Sequence, residues 1–210
     1  MTCRDWENFW LNEGFTVFSE RKVSAKLFGK DFAKVESLLG NSTLWHDMNT
    51  YGLNSTYSSI HPILEGDTPD SSFSTIPYEK GFQLLYFLES LIGENKIQIF
   101  LQTYILKYSQ NSITTIELRQ TWEQFVHDKF EGAQINQILS AVDWETWLYK
   151  PELAPVPLDF STDMSEEAIT LALEYISLGG YASPTDSDQY HKFDSNLKTI
   201  FHSTLIENQS

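Results

Sequence analysis

Three features of the sequence predict a mainly α-helical protein. Apolar residues recur at spacings of three and four along most of the chain. Glycine and proline fall where those runs begin or end, and no segment alternates convincingly as a half-buried strand would. A length of 210 residues suits one domain plus part of another. The hydrophobic fraction of 41% and aromatic content of 14% can furnish a sizeable core and exceed what a disordered chain carries.

The first helical stripe runs through Trp6, Trp10 and Val17 and closes at Gly29, a residue suited to the left-handed conformation past a helix end. A second helix is expected from about Asp31, with Phe32, Val35, Leu38 and Leu39 on one side and Gly40 as its stop. From about Tyr51 to Ser74, clusters of Gly, Pro, Asn, Ser and Asp read as a long loop, a feature often functional in compact domains. Pro77 can open the next helix, because its missing N–H is harmless in the first turn. Phe82, Leu85 and Leu88 give that helix its stripe, up to Gly93. Ile97, Phe100, Leu101, Tyr104, Ile105 and Tyr108 mark another helix. Thr114-x-x-Glu117 is a capping box for the one bearing Leu118, Trp122, Phe125 and Val126. Ile135, Ile138, Leu139 and Val142 mark a shorter helix.

Pro151, Pro155 and Pro157 then interrupt the pattern, as expected of a stiff linker. The expected organisation is a helical domain over residues 1–150, a proline-rich linker over 151–163, and the start of a second helical region over 164–210. In that last region Ser165 can cap a helix with Glu166 and Glu167 in its first turn. Ile169, Ala172, Leu173 and Ile176 would face inward, and Gly179-Gly180 would stop it. A final amphipathic stretch lies near Leu197 to Leu205. Two helices cannot enclose a core, so this region must pack on the preceding one or begin something larger.

Charge narrows the function classes. Lys+Arg 14 against Asp+Glu 29 gives a net charge of -15, which repels phosphate backbones and anionic lipid surfaces. Neither nucleic acid nor a membrane is therefore an expected partner. The single Cys3 cannot form an internal disulfide, and no run approaches the ~18 apolar residues of a membrane span. A reducing, cytoplasmic setting is expected.

One residue breaks the helical pattern in an informative way. Glu13 falls on the stripe between Phe9 or Trp10 and Val17, where the period calls for an apolar side chain. A buried carboxylate is costly unless paired or bound to a metal. Glu20 lies two turns further along the same face. On periodicity alone, Glu13 reads more readily as a surface residue of a rotated helix.

The wording around Glu13 is more specific. Phe9-Trp10-Leu11-Asn12-Glu13-Gly14-Phe15-Thr16-Val17, followed by Glu20-Arg21, resembles the segment carrying the third zinc ligand in aminopeptidases allied to leukotriene-A(4) hydrolase and leucine aminopeptidase. Ile76-Pro77-Tyr78-Glu79-Lys80-Gly81-Phe82 is similar to that family's catalytic tyrosine motif. Val142-Asp143-Trp144-Glu145-Thr146-Trp147-Leu148-Tyr149-Lys150-Pro151 is similar to the segment closing its catalytic domain. The resemblance spans roughly the first three quarters of the chain and is thin after Pro157.

What the resemblance implies is a helical lobe of a thermolysin-like zinc-peptidase catalytic domain, followed by the first helices of an armadillo-like C-terminal domain. Glu13 would be a ligand of one zinc ion beside two histidines spaced four apart. Glu20 would orient one of those histidines through its free N–H. Tyr78 would donate its phenol to the oxyanion of the tetrahedral intermediate, while zinc polarises the scissile carbonyl and activates water. Asp70 matches an acid lining the substrate channel and suits a cationic side chain. Phe9 would also touch substrate. Phe73 stands where the vertebrate enzyme has a tyrosine associated with epoxide chemistry. Peptide is therefore the expected substrate, with epoxide hydrolysis at most a side activity.

The departures are as informative. No His-Glu-x-x-His occurs, and His46, His61, His127, His191 and His202 lie in contexts that read as surface or cap positions. The resemblance puts the histidine pair upstream of Met1, cut off rather than mutated, along with the glutamate that holds the substrate amine. The chain alone is thus expected neither to hold zinc tightly nor to turn over peptides, and its missing catalytic half becomes a candidate partner. The rival reading is a non-catalytic paralogue whose acidic helical surface docks another protein.

Overall fold

The computed structural model describes residues 1–179 and 188–208. Gly180, the second half of the expected glycine stop, lies outside the described residues. Gly179 takes the left-handed conformation with φ of 67°. Among the described residues helices dominate: α1 (Trp10–Phe28), α2 (Lys30–Tyr51), α3 (Ile76–Ile92), α4 (Glu94–Lys107), α5 (Thr115–Lys129), α6 (Ala133–Ala141), α7 (Trp144–Tyr149), α8 (Asp163–Ser177), α9 (Asp188–Lys192) and α10 (Ser195–Glu207). Two strands that periodicity cannot reveal, β1 (Thr2–Cys3) and β2 (Ser112–Ile113), pair in parallel. At two residues each they are too short to show any alternation.

The chain forms two compact units. One comprises Met1–Glu20 and Thr43–Leu158, the other Arg21–Ser42 and Asp159–Ser210. In the first, α3 packs on α4, α4 on α5, and α5 on α6. The predicted stripes form its core: Phe82, Leu85, Leu88, Ile97, Phe100, Tyr104, Leu118, Trp122, Phe125 and Val126 are all buried. Phe100 meets Trp122 edge to face with centroids 5.4 Å apart. Trp147, fully buried, stacks on Phe87. Ile105, expected on the α4 stripe, is instead exposed.

The capping box forms as its residues dictate. The Glu117 carboxylate accepts from the amide and hydroxyl of Thr114, and these bonds hold its carboxyl down at about 2. The start of α5 also fixes the start of α1. The buried Asn8 side-chain oxygen accepts from the Thr115 amide at 2.7 Å and its hydroxyl at 2.8 Å. Trp10 Nε1 donates to the same hydroxyl at 2.9 Å.

Gly40 does not end a helix, because α2 continues through it to Tyr51. Its last turns bury Leu44 and Met48 against Ile76, and that burial outweighs the weak helix propensity of glycine. The segment after α2 holds two short 3₁₀ turns, Thr56–Ser58 and Pro69–Ser72. Pro77 sits in the first turn of α3, and Gly93 ends that helix with φ of 82°.

In the second unit α8 packs on α10. Val35 of α2 joins Ala168, Leu171, Ala172, Phe193, Leu197, Ile200 and Phe201 in one cluster, so the C-terminal helices borrow part of their core from α2. Thr162, not Ser165, caps α8. Ser165 is the buried reciprocal partner of that cap, and Leu171 rather than the exposed Leu173 faces inward.

Candidate active site

Glu13 lies in the first turn of α1 and Tyr78 in the first turn of α3. Both are half-buried, and the Tyr78 phenol and the Glu13 carboxylate lie close enough to shift each other's ionisation. Burial raises the Glu13 carboxyl above the usual range, and the phenol's hydrogen bond opposes that shift. Burial likewise raises the Tyr78 phenol, with the Glu13 charge and hydrogen bond adding to the effect. Tyr78 is therefore a protonated donor at neutral pH.

The helix bearing Tyr78 is capped from a distance. Thr75 precedes α3, and its amide and hydroxyl both donate to Asp47 Oδ2 of α2 at 2.7 Å. A carboxylate there meets the positive end of the α3 dipole. Lys80, two residues after Tyr78, is completely buried. Its ammonium donates to the Lys150 carbonyl at 2.9 Å, just past the C-terminus of α7. Burial pulls its pKa down to about 8, with the charge of Glu152 opposing.

An aromatic wall adjoins the pair. Phe9 presents an edge contact to Tyr78, with centroids 6.0 Å apart, and stacks on Trp6 at 4.3 Å. Trp6 lies 6.2 Å from Phe73, and its Nε1 donates to Ser72 Oγ at 2.9 Å. That bond ties the turn holding Asp70 and Phe73 to the wall. A narrow crevice opens between Trp6, Phe9, Tyr57, Ser72 and Pro77. Asp70 and Phe73 are exposed, Phe73 at 58%. Glu20 is exposed on α1. The structure thus brings Glu13, Tyr78 and Phe9 together, draws Phe73 in through Trp6, and leaves Glu20 and Asp70 in solvent.

His46, His127, His191 and His202 are exposed. His61 is half-buried: its backbone N–H donates to the Leu148 carbonyl at 2.9 Å, and burial lowers its imidazole pKa. Among the described residues no three His, Cys, Asp or Glu side chains converge as a metal site. A catalytic zinc takes three protein ligands, and Glu13 can be one of them. The described residues do not by themselves complete such a site.

Asp47, Asn8 and Lys80 support the site, and none is among the site residues that the sequence predicts. Asp47 and Asn8 act across long sequence separations and leave no local signal. Lys80 did leave one, since it interrupts the buried line Ile76, Lys80, Leu84 as Glu13 interrupts its own.

The Peptidase family M1 domain matches residues 1–147. Leukotriene A-4 hydrolase of Xenopus laevis is 34% identical over 208 residues, 99% of this chain and 32% of that protein. Leucine aminopeptidase 2 of Aspergillus clavatus is 34% identical over 202 residues, 96% of this chain and 32% of its own length. Yeast LTA4 hydrolase in complex with bestatin superposes with a TM-score of 0.87 at 32% identity, over 99% of this chain and 33% of that one. The native enzyme from Saccharomyces cerevisiae gives 0.85 at 31%, over 99% and 33%. The chain belongs to peptidase family M1. It spans about a third of the length of the curated relatives it matches.

Proposed function

We propose that this chain supplies the oxyanion donor and one zinc ligand of an M1 aminopeptidase site. The observation that carries the reading is the Glu13–Tyr78 pair beside the aromatic wall. A phenol held protonated is suited to donate to the oxyanion formed when a peptide carbonyl is attacked. Such a donor typically lowers the barrier by about 3–4 kcal/mol. The product is a free N-terminal amino acid. Phe9 and Phe73 flank the substrate, and Asp70 attracts a cationic side chain. Phe73 offers no phenol, which disfavours epoxide hydrolysis as the main reaction.

Glu13 is one ligand, and Glu20 orients a metal-bound imidazole from outside this chain. The remaining ligands come from a further portion of the enzyme, so the chain alone neither retains zinc nor hydrolyses peptides. Among the described residues no helix is long and apolar enough to cross a membrane, and the acidic charge disfavours nucleic acid. A reducing cytoplasmic setting suits the lone Cys3.

Metal analysis and aminoacyl-amide hydrolysis of the purified chain test this. We expect substoichiometric zinc and no turnover. One tightly held zinc per chain, surviving substitution of Glu13, would overturn the assignment.

A further inference from the structure

Two glycines lie where the helices carrying Glu13 and Tyr78 touch. Gly14 follows Glu13 in α1, and Gly81 is one turn past Tyr78 in α3. Both are buried helix-interior residues, and neither has positive φ, so backbone conformation does not require glycine there. Alanine is the better helix former, and some other constraint must exclude it.

That constraint is space. A Cβ on Gly14 would stand 2.8 Å from the Gly81 carbonyl carbon and 2.9 Å from its Cα. A Cβ on Gly81 would stand 3.0 Å from the Gly14 Cα and 3.5 Å from the Trp10 ring. The colliding atoms at 3.0 Å or less are backbone, which cannot rotate aside as a side chain can. Relief requires the two helices to part. Neither is free to slide, because the start of α1 is bonded through Asn8 to Thr115, and α3 is held by Asp47 and by Lys80. Parting at residues 14 and 81 therefore moves apart their chain neighbours Glu13 and Tyr78, whose carboxylate and phenol influence each other's ionisation.

We propose that the Gly14–Gly81 crossing is the positioning element of this pair: its bare backbones set the reach of Tyr78 to Glu13. Gly14 and Gly81 act through those two side chains and touch no substrate themselves. All four residues lie in one compact unit, and the spacing the glycines set is independent of whether the site hydrolyses peptides.

The test uses the full chain with isotopically labelled tyrosine, the Tyr78 ring resonances being assigned by Tyr78→Phe. In the parent, Glu13→Gln shifts those resonances. In Gly81→Ala and Gly14→Ala backgrounds the response to Glu13→Gln should fall by about half or more, since a hydrogen bond weakens steeply as it lengthens. Helix content and the Tyr104 resonances should remain those of the parent. Gly66→Ala is the control: it strains a loop glycine with φ of 97° in open space, and should leave the response whole. A full-sized response in both helix variants would overturn the proposal. So would failure of both to fold, which would make the glycines supports of the whole fold and not of the pair's spacing.

Discussion

The phenol of Tyr78 and the carboxylate of Glu13 perturb each other's ionisation, coupling the first turns of two helices far apart in sequence. Glu13 makes the Tyr78 phenol harder to ionise while Tyr78 makes the Glu13 carboxyl easier to ionise, but burial is the largest cause of the Tyr78 shift. Glu13→Gln should therefore lower the Tyr78 pKa while leaving it above that of free tyrosine. Ring carbon titration of labelled tyrosine checks this. A Tyr78 midpoint unmoved by the substitution would mean that the two groups do not interact.

Asp47 caps α3 from α2 by accepting two bonds from Thr75. Loss of a helix cap typically costs about 1 kcal/mol. Asp47→Ala should lower unfolding stability by roughly 0.5–2 kcal/mol. Asp47→Asn, which keeps an acceptor but loses the charge facing the dipole, should cost less. Denaturant unfolding of the two variants distinguishes them.

Lys80 predicts an unusual alkaline dependence. Its folded pKa is about 8, against about 10.4 in an unfolded chain. Below pH 8 both states are protonated, and the cost of burying the charge is fully felt. Between pH 8 and 10 the unfolded chain binds more protons than the folded one, so stability rises with pH. The slope from this residue can reach about 1.4 kcal/mol per pH unit. Unfolding curves of the parent and Lys80→Met across that window should converge or cross as pH rises. A constant difference between them would show that the lysine is not held at a lowered pKa.

The helices were legible in the sequence because burial is periodic. The stripes through Leu85, Phe100 and Trp122 mark the core, and Thr114-x-x-Glu117 announces its own cap. Local signals failed where tertiary burial overrode them: Gly40 reads as a stop, yet Leu44 and Met48 carry α2 onward into a core. The same limit applied to the site. Glu13 was visible as a carboxylate on an apolar stripe, and Tyr78 through its motif. The partners that hold them were not: Asp47 and Asn8 reach across the chain, and the close contact of Gly14 with Gly81 exists only once two helices cross. Lys80 broke its stripe as plainly as Glu13 did, and its meaning appears only with the Lys150 carbonyl in place.

The most direct test of the catalytic reading replaces the matching segment of Aspergillus clavatus leucine aminopeptidase 2 with residues 1–147 of this chain. Leucine-amide hydrolysis and zinc content are then measured on the chimera and its Tyr78→Phe variant. The chimera should be an active zinc enzyme whose kcat falls about 10²–10³-fold in the variant, with zinc retained. A folded, zinc-loaded Tyr78→Phe chimera that hydrolyses substrate as fast as its parent would contradict the catalytic reading.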